Sequence, residues 1–218
     1  PGEPATAGSC ERSLTALLSI LATAEALGIT FYYAAIQGTV FGLLATAQQW
    51  YLQAALDEER HHLAFLLDRG AALPPATYFF SPMAFRDQAE FLALLDALEN
   101  AFVSAYLMAI AHFHALDEPL LAEIAGQIMG VEAEHRVLGR VLQGAQLPHN
   151  CGLARATFHC VDDIAAALQP FLLGDDVLRE EKPLPTEAEL LAAIDRFGCT
   201  AVPVATPRRA TYLPLIAH

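Results

Sequence analysis

Basic side chains are scarce: 12 Lys and Arg stand against 25 Asp and Glu, a formal net charge of −13 over 218 residues. No Lys or Arg run could neutralise a phosphate backbone or an anionic bilayer, which makes nucleic acid a poor candidate partner. Cysteine is also rare, with Cys10, Cys151, Cys160 and Cys199 showing no CxxC spacing; this argues against a zinc knuckle or a thioredoxin-type motif. Disulfides in an exported protein and buried thiols both suit such a set, and spacing does not choose between them. Charge of either sign is missing altogether from Ala26 to Leu56, a length that would cross a bilayer. Gln37-Gly38 interrupts that stretch, Gln48 and Gln49 add polarity, and acidic residues close both ends. Two core helices joined by a short turn fit it better than a membrane span. The chain starts at Pro1 with no basic stretch leading into an apolar one, so a removed leader and a cut boundary are both compatible with its start.

The length suits one well-buried domain with an appendage. Four segments have helical composition: 13–37, 43–69, 84–114 and 118–143. Gly70 and Gly144 fall where left-handed C-terminal caps are expected, Ser81-Pro82 precedes the third segment, and Asp117 with Pro119 reads as the N-cap of the fourth. Nothing in this region reads as an alternating strand. Short connections make segments one and two, and three and four, antiparallel hairpins, while the Pro74-Pro75 link is long enough to cross the bundle. Beyond residue 144 the pattern weakens to a short helix at 161–173, another opened by the Thr186-x-x-Glu189 capping box, and an extended Pro-rich tail. The expected organisation is an all-α four-helix bundle over 12–144, with an extension over 145–218 that packs on the bundle or on a partner subunit.

What interrupts the apolar faces is a repeat. Glu25 on the first helix, Glu59-x-x-His62 on the second, Glu99 on the third and Glu132-x-x-His135 on the fourth run in the order Glu, ExxH, Glu, ExxH. Glu25 and Glu59 are 34 residues apart, Glu99 and Glu132 are 33 apart, and a tyrosine follows each lone glutamate by seven residues, at Tyr32 and Tyr106. A Glu and a His three apart share one helix face, so each ExxH can grip one metal while Glu25 and Glu99 arrive from the other helices. Four carboxylates and two imidazoles suit two iron or manganese ions; without cations, their burial would be very costly. Tyr32 and Tyr106 either hydrogen-bond these ligands or are ordinary core tyrosines with satisfied hydroxyls.

The cluster "EERHH" also contains Glu58-x-x-His61, whose distance from Glu25 matches the second repeat better. Helical geometry favours the other register: Gln49, Gln53, Asp57, Arg60 and Asp68 define a wet side, whereas Leu52, Leu56, Leu63 and Leu66 surround Glu59. Glu59 and His62 are therefore assigned as ligands, with Glu58 and His61 flanking the site or entering an interface.

The segments "ERHHLAFL", "LENAFVSAYL" and "IMGVEAEHRVL", with Glu25 in "LATAEALGITFYYAAI", resemble the ferritin-like family that includes the bacterial and plant desiccation-related proteins. The resemblance covers residues 13–143 and implies a ferritin-like bundle with Glu25, Glu59, His62, Glu99, Glu132 and His135 at the ligand positions. It also implies export, to a periplasmic or extracellular location. The reaction is not fixed by fold analogy. A redox enzyme acting on dioxygen or peroxide, a manganese-catalase-like dismutase, and a non-catalytic protein that sequesters iron or protects under desiccation stress all fit the ligand set. The apolar surface between Ala26 and Ala47 exceeds what four helices can bury, so a homodimer is expected.

Overall fold

The structure is a computed structural model and describes residues 13–145, 156–174 and 179–194. Four long helices carry the fold: α1 (Leu14–Gln37), α2 (Thr46–Asp68), α3 (Gln88–Ala115) and α4 (Pro119–Leu142). Each starts and stops for a local reason. The Ser13 hydroxyl accepts from Ala16 N–H to open α1, and Asp87 does the same for Glu90 N–H to open α3. Gln48 reaches back to the Ala45 N–H at the start of α2. Gly70 (φ 95°) and Gly144 (φ 66°) adopt the left-handed conformation just beyond α2 and α4.

Three of the expected helix starts differ. α2 begins at Thr46, because Leu43 closes the 3-10 turn Thr39–Leu43. α3 begins at Gln88, because Ser81 to Arg86 form turns and the capping carboxylate is Asp87, not Ser81. Asp117 does not cap α4: it sits in the left-handed region (φ 59°), and the N-cap position is Glu118, with Pro119 opening the helix.

The uncharged stretch resolves as the second half of α1, a 3-10 turn over Thr39–Leu43, and the first half of α2. α1 and α3 are long and apolar enough to cross a membrane by length and composition, yet most of each such window is buried inside the bundle.

Adjacent helices are antiparallel. Ser19, early in α1, accepts from the Ala72 N–H just past α2 (2.9 Å), and Gln143, just past α4, donates to the Leu92 carbonyl early in α3 (2.9 Å). Across the hairpins, Tyr32 of α1 meets Glu99 of α3 while Tyr106 of α3 meets Glu25 of α1, so these helices also run in opposite directions.

Two short strands add to the expected helices. β1 (Thr77–Phe80) lies in the link between α2 and α3 and pairs antiparallel with β2 (Glu180–Pro183), Thr77 opposite Pro183 and Phe80 opposite Glu180. "TYFF" is rich in aromatic and β-branched residues, but four residues are too few to display alternation, and the partner strand lies far along the chain. β1 turns Tyr78 and Phe80 inward, where Phe80 and Phe85 (5.1 Å between centroids) join the stacked pair Phe31 and Phe91 (5.3 Å).

The extension supplies α5 (Val161–Leu172) and α6 (Glu187–Ala193), the latter opened by the Thr186–Glu189 capping box. Ile164 and Leu168 of α5 belong to the main core. The Ser104 hydroxyl of α3 accepts from the Thr157 and Phe158 N–H groups (2.7 and 3.0 Å), tying the extension to the bundle. α6 covers part of the side of α2 expected to be wet: Gln53 donates to the Ala193 carbonyl and Arg60 pairs with Glu187. Cys10, Cys151, Cys199 and the Pro-rich tail lie outside the described residues; Cys160 precedes α5, where its N–H donates to Asp163.

Candidate metal centre

The six expected side chains converge at mid-bundle. Glu59 and Glu132 are fully buried, Glu25 and Glu99 are 1 % exposed, and His62 and His135 are 3 % and 4 % exposed. Each ExxH brings its own pair together, at 3.5 Å for His62 Nδ1 to Glu59 Oε2 and again for His135 Nδ1 to Glu132 Oε2. Each histidine also faces the ExxH glutamate of the other hairpin, His62 to Glu132 at 3.2 Å and His135 to Glu59 at 3.3 Å. The lone glutamates complete the pattern, Glu25 by His62 (3.3 Å) and Glu99 by His135 (3.8 Å). The sequence repeat is thus a local two-fold in space.

Two groups of ligand atoms result, each within 4.8 Å of one another: Glu25, Glu59, His62 and Glu132, and Glu59, Glu99, Glu132 and His135. Glu59 and Glu132 are common to both, so each can bridge two metal positions, while Glu25 with His62 and Glu99 with His135 finish opposite ends.

Eight buried atoms here have no hydrogen-bond partner: Glu25 Oε2, both oxygens of Glu59 and of Glu132, Glu99 Oε2, and Nδ1 of each histidine. Buried polar atoms are normally satisfied. A convergent set of orphans of ligating type is what a cation pair would satisfy, and four carboxylates with two neutral imidazoles balance two divalent ions. The residues present fit such a group.

The tyrosines finish the terminal carboxylates. Tyr32 donates to Glu99 Oε1 (2.5 Å) and Tyr106 donates to Glu25 Oε1. One oxygen of each glutamate is held, and the other, Oε2, is left facing the histidine. Burial first, and then nearby carboxylates, push both phenols well above their ordinary range, so both remain donors.

Without cations the cluster must hold protons. Burial, reinforced by Glu59, pushes Glu25 well up, and burial with Glu132 and Glu59 does the same to Glu99. Burial alone would lower both imidazoles, but the carboxylates outweigh it: Glu25, Glu132 and Glu59 hold His62 well above its usual value, as Glu132, Glu58, Glu59 and Glu99 do His135. Burial would raise Glu59, yet the protons held beside it on Glu25, His135 and His62 keep it below the usual carboxylate range. Metal uptake must displace these protons.

The alternative register is not in the site. His61 turns away, with Nδ1 2.7 Å from the Asp57 carbonyl and Nε2 beside Arg60. Glu58 flanks the centre, with Oε2 2.7 Å from His135 Nε2. Gly28 and Phe102 border the site without a strong sequence signal of their own: a Cβ on Gly28 would stand 3.3 Å from both Glu59 Cδ and Phe102 Cε2. The repeat itself could have found them, since the 74-residue offset from Glu25 to Glu99 and from Tyr32 to Tyr106 pairs Gly28 with Phe102.

The ferritin-like domain family model matches residues 13–145, and the chain belongs to that family. No curated protein matches the chain, and no solved structure does.

Proposed function

We propose that the protein holds two iron or manganese ions between its two hairpins and works as an oxidoreductase on dioxygen or peroxide. The observation that carries this reading is the set of eight unpartnered ligand atoms arranged about a local two-fold. Carboxylates and imidazoles without a thiolate suit iron and manganese. Two such ions would supply two one-electron couples, matching reduction of dioxygen with two protons to hydrogen peroxide, or of hydrogen peroxide with two protons to water.

The chain's own residues fix the rest. Tyr32 and Tyr106 orient Glu99 and Glu25 and hold protons beside them, and the buried Leu52, Leu56 and Leu66 on the Glu59 side of α2 limit water. Purified protein loaded with iron or manganese should approach two ions per chain and consume dioxygen or peroxide in proportion to bound metal. His62→Ala should lose at least one ion and that reactivity, while His61→Ala keeps both ions. Metal near zero under both loadings, with the fold intact, overturns the reading.

The near-complete burial of every carboxylate ligand favours a second reading, in which the ions are held for stability or sequestration without turnover. Two bound ions with no consumption of either oxidant would establish it.

Self-association belongs to the same proposal. Leu43 (60 % exposed), Trp50 (45 %) and Tyr51 (55 %) crowd one end of the first hairpin. That end carries no charge from Ala26 to Leu56, so a second copy meets no repulsion there. Sedimentation at micromolar concentration should give a dimer that Trp50→Glu dissociates; a wild-type monomer refutes it.

A further inference from the structure

A pocket of about 180 Å³ lies between α1, α3 and α5, on the far side of α3 from α4. Its lining is apolar, from Ala24, Leu98, Ala101 and Phe102 below to Leu168 and Phe171 above. The hydrogen bonds from Thr157 and Phe158 to Ser104 hold the start of the extension against α3, and Phe158 forms part of the rim. Apolar cavities of about 150 Å³ bind benzene or xenon, so the volume is ample for a diatomic molecule.

Phe102 joins the pocket to the metal centre. At about 100° per residue on α3, Glu99 and Tyr106 share a face, Leu98 and Ala105 lie roughly 100–120° to one side, and Phe102 falls between them. Its counterpart in the first hairpin is Gly28, and the two are in contact. A Cβ on Gly28 would stand 3.3 Å from Phe102 Cε2 and 3.3 Å from Glu59 Cδ. The ring that lines the pocket therefore ends beside the same point next to Gly28 that the Glu59 carboxyl carbon borders, and Glu59 is common to both ligand groups.

We propose that this pocket is the entry site for a small uncharged apolar molecule, dioxygen, with Phe102 as the gate between it and the metal pair. The inference rests on the dinuclear reading above and selects among its substrates. Hydrogen peroxide would surrender its hydrogen bonds to water on entering such a lining, whereas dioxygen has none to surrender.

Xenon is the probe. A crystal of the metal-loaded full chain under xenon pressure should show the gas against Ala101 and Leu168. Ala101→Phe and Ala167→Phe, which fill the pocket from opposite walls, should lose the xenon, retain two ions per chain and slow oxidation of the ferrous protein by dioxygen about tenfold. Phe102→Leu should speed that oxidation with xenon and both ions retained, and should lose the gain when combined with Ala101→Phe; a gain that survives the filled pocket overturns the gate. No xenon in the wild-type pocket, or filled variants that react with dioxygen at the wild-type rate, overturns the proposal. A chain without metal would sink the parent reading instead, and the xenon result would still decide the pocket.

Discussion

Glu58 Oε2 lies 2.7 Å from His135 Nε2, and the local two-fold that pairs the hairpins breaks there. Glu59 corresponds to Glu132, so the position on α4 equivalent to Glu58 is Val131, which offers His62 no carboxylate. A carboxylate behind a ligating imidazole fixes its tautomer and strengthens it as a donor, with effects of about 10–100-fold on metal affinity. The Glu99–His135 position should therefore bind its ion more tightly. Glu58→Gln should weaken one of two binding steps by about tenfold and leave the other nearly unchanged. A metal titration followed by calorimetry reads both steps, and equal weakening of the two would contradict the asymmetry.

The protonated cluster gives the metal-free protein a pH dependence of definite sign. Glu25, Glu99, His62 and His135 all have folded values raised above their ordinary ones, so the folded state binds more protons than the unfolded state. Stability from these groups is fully present below the ordinary carboxylate and imidazole values and is lost as pH rises through the raised ones. Glu59 acts oppositely, contributing above the ordinary carboxylate value and losing its contribution as pH falls. The apo melting temperature should fall as pH rises above about 6.5, while the gain in melting temperature on adding metal should grow, because uptake releases protons. Scanning calorimetry of apo and loaded protein from about pH 6 to about pH 8 checks both trends. Parallel apo and holo curves would contradict them.

Glu99→Gln separates the two states further. The amide can still accept from Tyr32, so the hydrogen bond at Glu99 Oε1 survives. In the apo protein the substitution removes an acid whose raised value costs stability as pH rises, so the variant should melt higher than wild type, most clearly at alkaline pH. In the loaded protein a ligand is lost and the variant should melt lower. Equal shifts in one direction for both forms would show that Glu99 is not a ligand.

The bundle was legible because its signals are local or repeated: helix periodicity, Gly70 and Gly144, and the Glu and ExxH pattern that recurs at nearly constant spacing. The convergence of Glu25, Glu59, His62, Glu99, Glu132 and His135 follows from that periodicity once the hairpins are antiparallel. Wheel geometry also separated His62 from His61, since one lies among leucines and the other beside Asp57. What escaped depends on partners distant in sequence. β1 acquires meaning only from Glu180–Pro183, the wet side of α2 is wet only until α6 covers Gln53 and Arg60, and the left-handed Asp117 moves the α4 cap by one residue. Gly28 and Phe102 look like ordinary apolar helix residues until the other hairpin is in place.

Gly28 supplies the sharpest separation of folding from metal binding. Glycine within a helix normally costs about 0.5–1 kcal/mol relative to alanine, so Gly28→Ala should by propensity alone stabilise α1. Here the new Cβ would stand 3.3 Å from both Glu59 Cδ and Phe102 Cε2 and 3.4 Å from Glu59 Oε2, and a neighbour must yield by a few tenths of an ångström. In the apo protein Glu59 is held only by the two histidines, at 3.3 and 3.5 Å, and can give way by that much, which leaves the propensity gain. In the loaded protein the same carboxylate would be fixed by two ions, and displacing it would disturb both. Gly28→Ala should accordingly raise the apo melting temperature slightly and weaken metal binding, so that the melting gain on loading shrinks. Gly130, where a Cβ meets nothing within 4 Å, is the control: Gly130→Ala should raise both forms alike. If Gly28→Ala behaves as Gly130→Ala does, the carboxylate of Glu59 is free to move in the loaded state, and its place as a bridge between two metal positions is wrong.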